Sequence, residues 1–254
     1  MTAGNAEDIV GRYSRLARAA LAGEPISDCG QDAFEDGCFG AAAYAADPAA
    51  PDGALRASLG CGNPVAVADI RPGETVLDLG SGGGLDVLLS ARRTGPHGIA
   101  YGLDASTDML ALARANADQA AVRNARFLHG HIEDIPLPGD HVDVVISNCV
   151  INLSADKPRV LAEAFRVLRP GGRLGVSDVI ADDAAEQARR AAAEQRVGCL
   201  AGTLTRREYH NLLTDSGFTG IRVTATRPAG EGLHSAIIQA VKPATLRAGD
   251  GLRP

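Results

Sequence analysis

From residue 72 onward the chain alternates two hydrophobic patterns. Short apolar runs, rich in β-branched residues, read as strands: "ETVLDLG" (74–80), "GIAYGLD" (98–104), "ARFLHG" (125–130), "VDVVIS" (142–147) and "RLGVSDVI" (173–180). Between them lie stretches with apolar residues near a 3.6-residue period, which read as helices: "LDVLLSARR", "STDMLALARANADQA" and "KPRVLAEAFRVLR". Ser106 or Thr107 stands where a helix N-cap is wanted, and "PGG" at 170–172 stops the third helix. Strands that alternate with helices in this way pair in parallel and carry helices on both faces. Further along, "AAEQARRAAAEQRVGC" and "TRREYHNLLTDSGF" read as helices, the second capped by Thr205. "IRVTATRP" and "LHSAIIQAVK" then read as two strands joined by a Pro/Gly turn. The expectation is an α/β fold: a Rossmann-like, mostly parallel seven-stranded sheet with an antiparallel edge strand.

The flanks follow other rules. Residues 6–22 are helix-favouring, with Ile9, Val10, Tyr13, Leu16 and Leu21 as an apolar stripe. Residues 23–63 are rich in Gly, Ala, Asp and Pro and keep no long period. The expected division is an N-terminal helix and irregular cysteine-containing segment (1–63), a core domain (64–243) and a disordered tail (244–254).

Composition narrows the function classes. Net charge is −6 and no Lys/Arg block occurs, which argues against nucleic acid or an anionic membrane as partner. No apolar run approaches the roughly 18 residues of a spanning helix. The N-terminus has acids at Glu7 and Asp8 and no secretory apolar core, so a cytoplasmic location is expected. The five cysteines, Cys29, Cys38, Cys61, Cys149 and Cys199, are an odd count that does not suggest a disulfide framework. Free thiols are the expectation.

The sharpest local motif is "LDLGSGGG", which closes one strand and opens one helix, with Gly80, Gly82 and Gly84 at alternate positions. Glycines there let a ligand approach the backbone and point a helix N-terminus at it. An acid about 20 residues on, at the end of the next strand, accepts ribose hydroxyls; Asp104 stands there. A dinucleotide turn wants glycine where Leu85 stands, and Asp78 beside the loop would repel a pyrophosphate. The same acid suits an ammonium group. S-adenosylmethionine, with an amino-acid end, a ribose and no phosphate, fits these departures better than NAD.

"VLDLGSGGG", the "GLD" strand end, "HIEDIPLP" and "VLRPGGRL" together resemble class I S-adenosylmethionine-dependent methyltransferases, over roughly residues 72–180. The resemblance implies that Gly80, Ser81, Gly82 and Gly84, with Asp78, wrap the methionine end of the cofactor. It implies that Asp104 holds the ribose and that Met109, Ile132 and Glu133 surround the adenine. Asn148 is implied near the reacting methyl. Met109 as a helix core residue, and Glu133 as a plain loop acid, remain open alternatives.

Three cysteines stand outside apolar runs: Cys61 in "LGCGN", Cys149 just past the fourth strand, and Cys199 in "VGCLAG". Thiolates are soft ligands for thiophilic centres. No close C-x-x-C pair and no histidine adjacent to a cysteine gives the spacing of a zinc site. "SLGCGNP", "SNCVINLSADK" and "GCLAG", in this order around a methyltransferase core, resemble arsenite methyltransferases. That resemblance implies Cys61, Cys149 and Cys199 as ligands of trivalent arsenic. It implies Cys29 or Cys38 as a thiol–disulfide partner, and thioredoxin or glutathione as reductant. Arsenite and methylated arsenicals are then the substrates, the protein is expected to be a monomer, and detoxification is the biological role. Such chemistry needs placement more than a general base; none of the six histidines is assigned a role. Residues 23–63 are expected to move Cys61 toward Cys149. Two other readings stand beside this one: methylation of a small organic molecule, quinone or sterol-like, and a thiol binder of metalloids without catalysis.

Overall fold

A computed structural model describes residues 3–22, 62–183, 202–230 and 232–244. The first element is α1 (Ala3–Leu21), followed by the short α2 (Pro64–Val67). Strand β1 (Thr75–Leu79) leads into α3 (Leu85–Thr94), and β2 (Ile99–Asp104) into α4 (Thr107–Gln119). Strands β3 (Ala125–His129) and β4 (Val142–Asn148) follow, then a 3₁₀ turn at Ile151–Leu153 and α5 (Lys157–Val167). The described chain closes with β5 (Leu168–Ala181), α6 (Arg206–Asp215), β6 (Thr219–Gly230) and β7 (Leu233–Val241).

The seven strands form one sheet in the order β3-β2-β1-β4-β5-β7-β6. All pairings from β3 to β5 are parallel, and β7 runs antiparallel to both β5 and β6. The expected α/β architecture is therefore present. One detail differs: the antiparallel strand lies one place in from the edge, because β6 takes the outer position. The expected helix over 184–199 and the expected tail over 245–254 lie outside the described residues, as does segment 23–61.

Burial explains why the inner strands read as continuous apolar runs. Val76, Leu77 and Leu79 on β1, and Val144, Val145 and Ile146 on β4, are fully buried, since helices cover both faces. One face packs Leu77, Val145 and Val176 against Val160, Leu161, Ala164 and Val167 of α5 and Tyr209 and Leu213 of α6. The other packs Val76, Val144 and Ile146 against Val65 of α2 and Leu85, Leu88 and Leu89 of α3. Each fully buried large side chain contributes about 1.5–3 kcal/mol. Helix starts are set by side chains: Ser106 accepts from the Met109 amide, Asp156 from that of Arg159, and Thr205 pairs reciprocally with Glu208.

Strand order reverses between β1 and β4. The chain steps from β1 to β2 to β3 on one side and from β4 to β5 on the other. At such a reversal the loops leaving adjacent strands part, and a cleft opens at their carboxyl ends.

Candidate active site

The cleft starts at the glycine loop. Its first two amides, Gly80 and Ser81, both donate to the Leu103 carbonyl (2.8 and 2.9 Å), which ties the loop to the end of β2. Gly80, Gly82 and Gly84 all have positive φ, at 70°, 50° and 85°. A Cβ on Gly80 would also sit 2.5 Å from both methyls of Val150, so the loop and the turn after β4 touch only because position 80 has no side chain. A Cβ on Gly82 would meet open space, on the cleft side. Gly84 differs from the expectation. It is absent from the cleft wall, caps α3, and packs where a Cβ would press on Ala113 and Phe127.

Asp104 is oriented by two amides. Its Oδ2 accepts from Gly82 (2.8 Å) and its Oδ1 from Ser106 (2.8 Å). The carboxylate keeps lone-pair capacity for a hydroxyl. Burial raises its pKa, against the lowering pull of the Ser106 and Gly82 amides and of His129. Asp78 and Asp86 line the same wall and are 3% and 7% exposed. Burial, and then the charges of Asp86 and Asp104, push Asp78 well above the usual carboxylate range. Among the described residues no lysine or arginine lines the cleft. A buried acidic wall without counter-cations favours a positively charged ligand group and disfavours a pyrophosphate. The Ser81 hydroxyl is buried in this wall with no hydrogen-bond partner among the described residues.

Asp86 was missed in the sequence. Its signal was an acid between apolar residues in the first turn of the helix that the glycine loop opens. The structure adds its partner: the Asn148 amide donates to Asp86 (3.2 Å) and to the Gly62 carbonyl (2.8 Å), so Asn148 joins β4 to α3 and to the chain entering α2.

The opposite wall holds Met109, Ile132, Glu133 and His131, with Ile9, Val10 and Tyr13 of α1 alongside. Met109 lies on the cleft wall and also packs with Leu16, Ala17 and Leu112. The α1 contribution was not read from the sequence as part of a site; a Ser14–Ser106 hydroxyl bond (2.8 Å) and an Arg18–Asp108 ion pair (3.6 Å) hold it to α4. The loop carrying Ile132 and Glu133 is pinned by α5. Glu163 accepts from the Ile135 amide (2.9 Å), Arg166 donates to the carbonyls of Ile135 and Leu137 (2.9 and 2.8 Å), and Arg159 donates to that of Glu133 (3.0 Å). The Glu133 carboxylate takes the Ser154 hydroxyl.

Cys149 lines the cleft between Asn148 and Val150. Its backbone adopts φ of 58°, rare for a residue with a side chain, and its amide donates to the Ser177 carbonyl (2.8 Å). It is disulfide-bonded, which corrects the expectation of a free thiol at this position. Two cysteines distant in sequence pair when the fold brings them within bonding reach, which spacing along the chain does not reveal. Cys29, Cys38, Cys61 and Cys199 lie outside the described residues, so the roles expected of those four have no described geometry. The structure thus brings together Asp78, Gly80, Ser81, Gly82, Asp104, Met109, Ile132, Glu133, Asn148 and Cys149 around one cleft. This donor set suits a purine nucleoside with a cationic tail: a carboxylate for a diol, apolar walls for a base, acids for a positive charge. No described helix is long and apolar enough to cross a membrane.

Comparison with known proteins agrees. A family model described as a methyltransferase domain matches residues 70–217. The chain is 41% identical over 199 residues to an arsenite methyltransferase of Halobacterium salinarum, covering 73% of this chain and 51% of the relative. It is likewise 41% identical over 182 residues to an arsenite methyltransferase of Aquipseudomonas alcaligenes, covering 66% of this chain and 50% of the relative. The chain therefore spans about half the length of the curated relatives it matches. Among solved structures, an arsenic(III) S-adenosylmethionine methyltransferase from Chlamydomonas reinhardtii superposes with a TM-score of 0.69 at 35% identity, covering 79% of this chain and 72% of that one.

Proposed function

The chain belongs to the methyltransferase-domain family, as a relative of the arsenite methyltransferases, and from that premise we propose that it transfers methyl groups from S-adenosylmethionine to trivalent arsenic held by cysteine thiolates. The observation that carries this reading is the position of Cys149. It stands on the wall of the acidic cleft, one residue past Asn148, at the carboxyl end of β4.

S-adenosylmethionine supplies an electrophilic methyl on a sulfonium. The chain's residues do the rest by placement. Asp104, preset by two amides, receives the ribose diol. Asp78 and Asp86 face the cationic methionine end, and the missing Cβ at Gly82 leaves room beside the loop. Met109 and Ile132 flank the adenine. Glu133 supports that wall through Ser154 and stands beside the base. The neighbouring turn presents Cys149 to the acceptor, with Cys61 and Cys199 as the further ligands. With the cofactor bound, its sulfonium methyl would pass to the arsenic lone pair as the sulfur–methyl bond breaks and S-adenosylhomocysteine leaves, so no general base would be required; the thiolates would hold the arsenic in place. In the disulfide form Cys149 cannot ligate. A two-electron thiol reductant, of the thioredoxin or glutathione kind, must first open the bond, with Cys29 or Cys38 as a candidate exchange partner.

The test incubates the reduced full chain, and Cys149→Ser, with arsenite and labelled S-adenosylmethionine. Methylarsenicals are expected from the wild type, with a loss of at least about 100-fold in the variant, the scale of losing a placed reactive group. Absence of product from the wild type, or full activity in the variant, sinks the reading.

A further inference from the structure

A second polar cluster lies buried behind the cleft, and none of its three side chains lines the cleft wall. Asp178, near the end of β5, is 0% exposed. It accepts from the Tyr209 hydroxyl on α6 (2.8 Å), from the Asn152 amide (2.9 Å) and from the Val179 N–H (2.8 Å). Asn152, also 0% exposed, donates further to the Val179 carbonyl (2.7 Å) and accepts from the Leu204 N–H (3.4 Å). The Leu204 carbonyl in turn receives the Ala181 N–H at 3.0 Å. Lys157 is the charged neighbour that favours the Asp178 anion, and its ammonium donates to the Ser154 carbonyl (2.9 Å).

Replacing buried ionic groups by apolar side chains of equal volume is often neutral or stabilising, because burying a charge is costly. What a satisfied polar network adds is direction. It admits one relative placement of the elements that meet in it. Those elements are telling. Asn152 follows Cys149 by three residues in the 3₁₀ turn, and Leu204 follows Cys199 by five. Asp178 itself follows Ser177, whose carbonyl takes the Cys149 amide.

We propose that Asp178, Asn152 and Tyr209 are positioning residues that hold the Cys149 turn against β5, α6 and the chain at Leu204, and so fix where the Cys149 thiolate is offered to trivalent arsenic. This rests on the thiolate reading above.

Tyr209→Phe removes one oxygen and leaves Asp178 short of a donor. Asn152→Ala cuts the link to Leu204. Asp178→Asn keeps the shape: its carbonyl oxygen still accepts from Asn152 and Val179, and its amide donates to the Tyr209 oxygen. In the reduced full chain, arsenite Kd is measured by equilibrium dialysis and S-adenosylmethionine Kd by calorimetry, with kcat and KM for both substrates. Tyr209→Phe and Asn152→Ala are expected to raise arsenite Kd and KM about tenfold, as misplaced ligands do, while the cofactor's values stay within about twofold. Asp178→Asn is expected to remain within about threefold of the wild type, since its network survives. Arsenite values unchanged in both loss variants overturn the proposal, as does a parallel loss of cofactor binding. If Asn152→Ala does not fold, Tyr209→Phe decides alone. A wild type that binds no arsenite defeats the parent reading and this one together; a wild type and variants that bind it equally defeat only this one.

Discussion

Gly80 shows how much one residue decides. Its positive φ and the 2.5 Å approach that a Cβ would make to Val150 are independent reasons for glycine. Gly80→Ala is expected to cost about 1–3 kcal/mol from backbone strain alone and to weaken S-adenosylmethionine binding at least about tenfold, read by calorimetry. Unchanged affinity would show that the loop does not touch the cofactor. Asp178 carries the pH dependence. Burial lifts its pKa from 3.8 to about 6, against the lowering effects of the Tyr209 hydroxyl, the Val179 and Asn152 bonds and Lys157. In that range the folded state holds a proton that the unfolded chain has lost, so stability falls as pH rises from about 4 to 6 and is level above. The drop attributable to this group is about 3 kcal/mol. Asp178→Asn should flatten that part of a denaturant-unfolding profile; an unchanged slope would assign it elsewhere.

At the scale of elements, the cleft is an agreement between helices and loops. Strand β1, its glycine turn and Asp104 were legible in the sequence because each depends on neighbours a few residues away or on a fixed strand-to-strand spacing. The role of α5 was not. Its Glu163 and Arg166 look like an ordinary exposed pair three apart, yet they pin the loop that carries Ile132 and Glu133. The Arg166 guanidinium beside Glu163 holds that carboxyl below its usual range. Glu163→Ala leaves the Ile135 amide without its acceptor and Arg166 without its carboxylate partner. It should cost about 1–3 kcal/mol. In a domain of this size that lowers Tm by roughly 2–12 °C. Cofactor affinity should fall with it.

For the whole molecule, the proposed function puts the cofactor and the acceptor on separable sides of the cleft. The acidic wall, the glycine loop and Met109 face one another across the β1/β4 reversal, whereas Cys149 enters from the turn after β4. Cys149→Ser should therefore retain S-adenosylmethionine binding within about twofold while losing arsenic methylation, since it removes a ligand without disturbing the packed sheet. Binding lost together with turnover would place Cys149 in the cofactor site. What the sequence by itself determined is what local rules govern: alternating strands and helices, the glycine turn, an acid at the end of β2, and a cysteine at a strand end. The disulfide at Cys149, the Asn148–Asp86 bond, the α1 wall and the Asp178 cluster were decided only by tertiary structure. Each joins residues far apart in the chain, and such pairings leave no period or spacing to read until the sheet order has set which loops lie side by side.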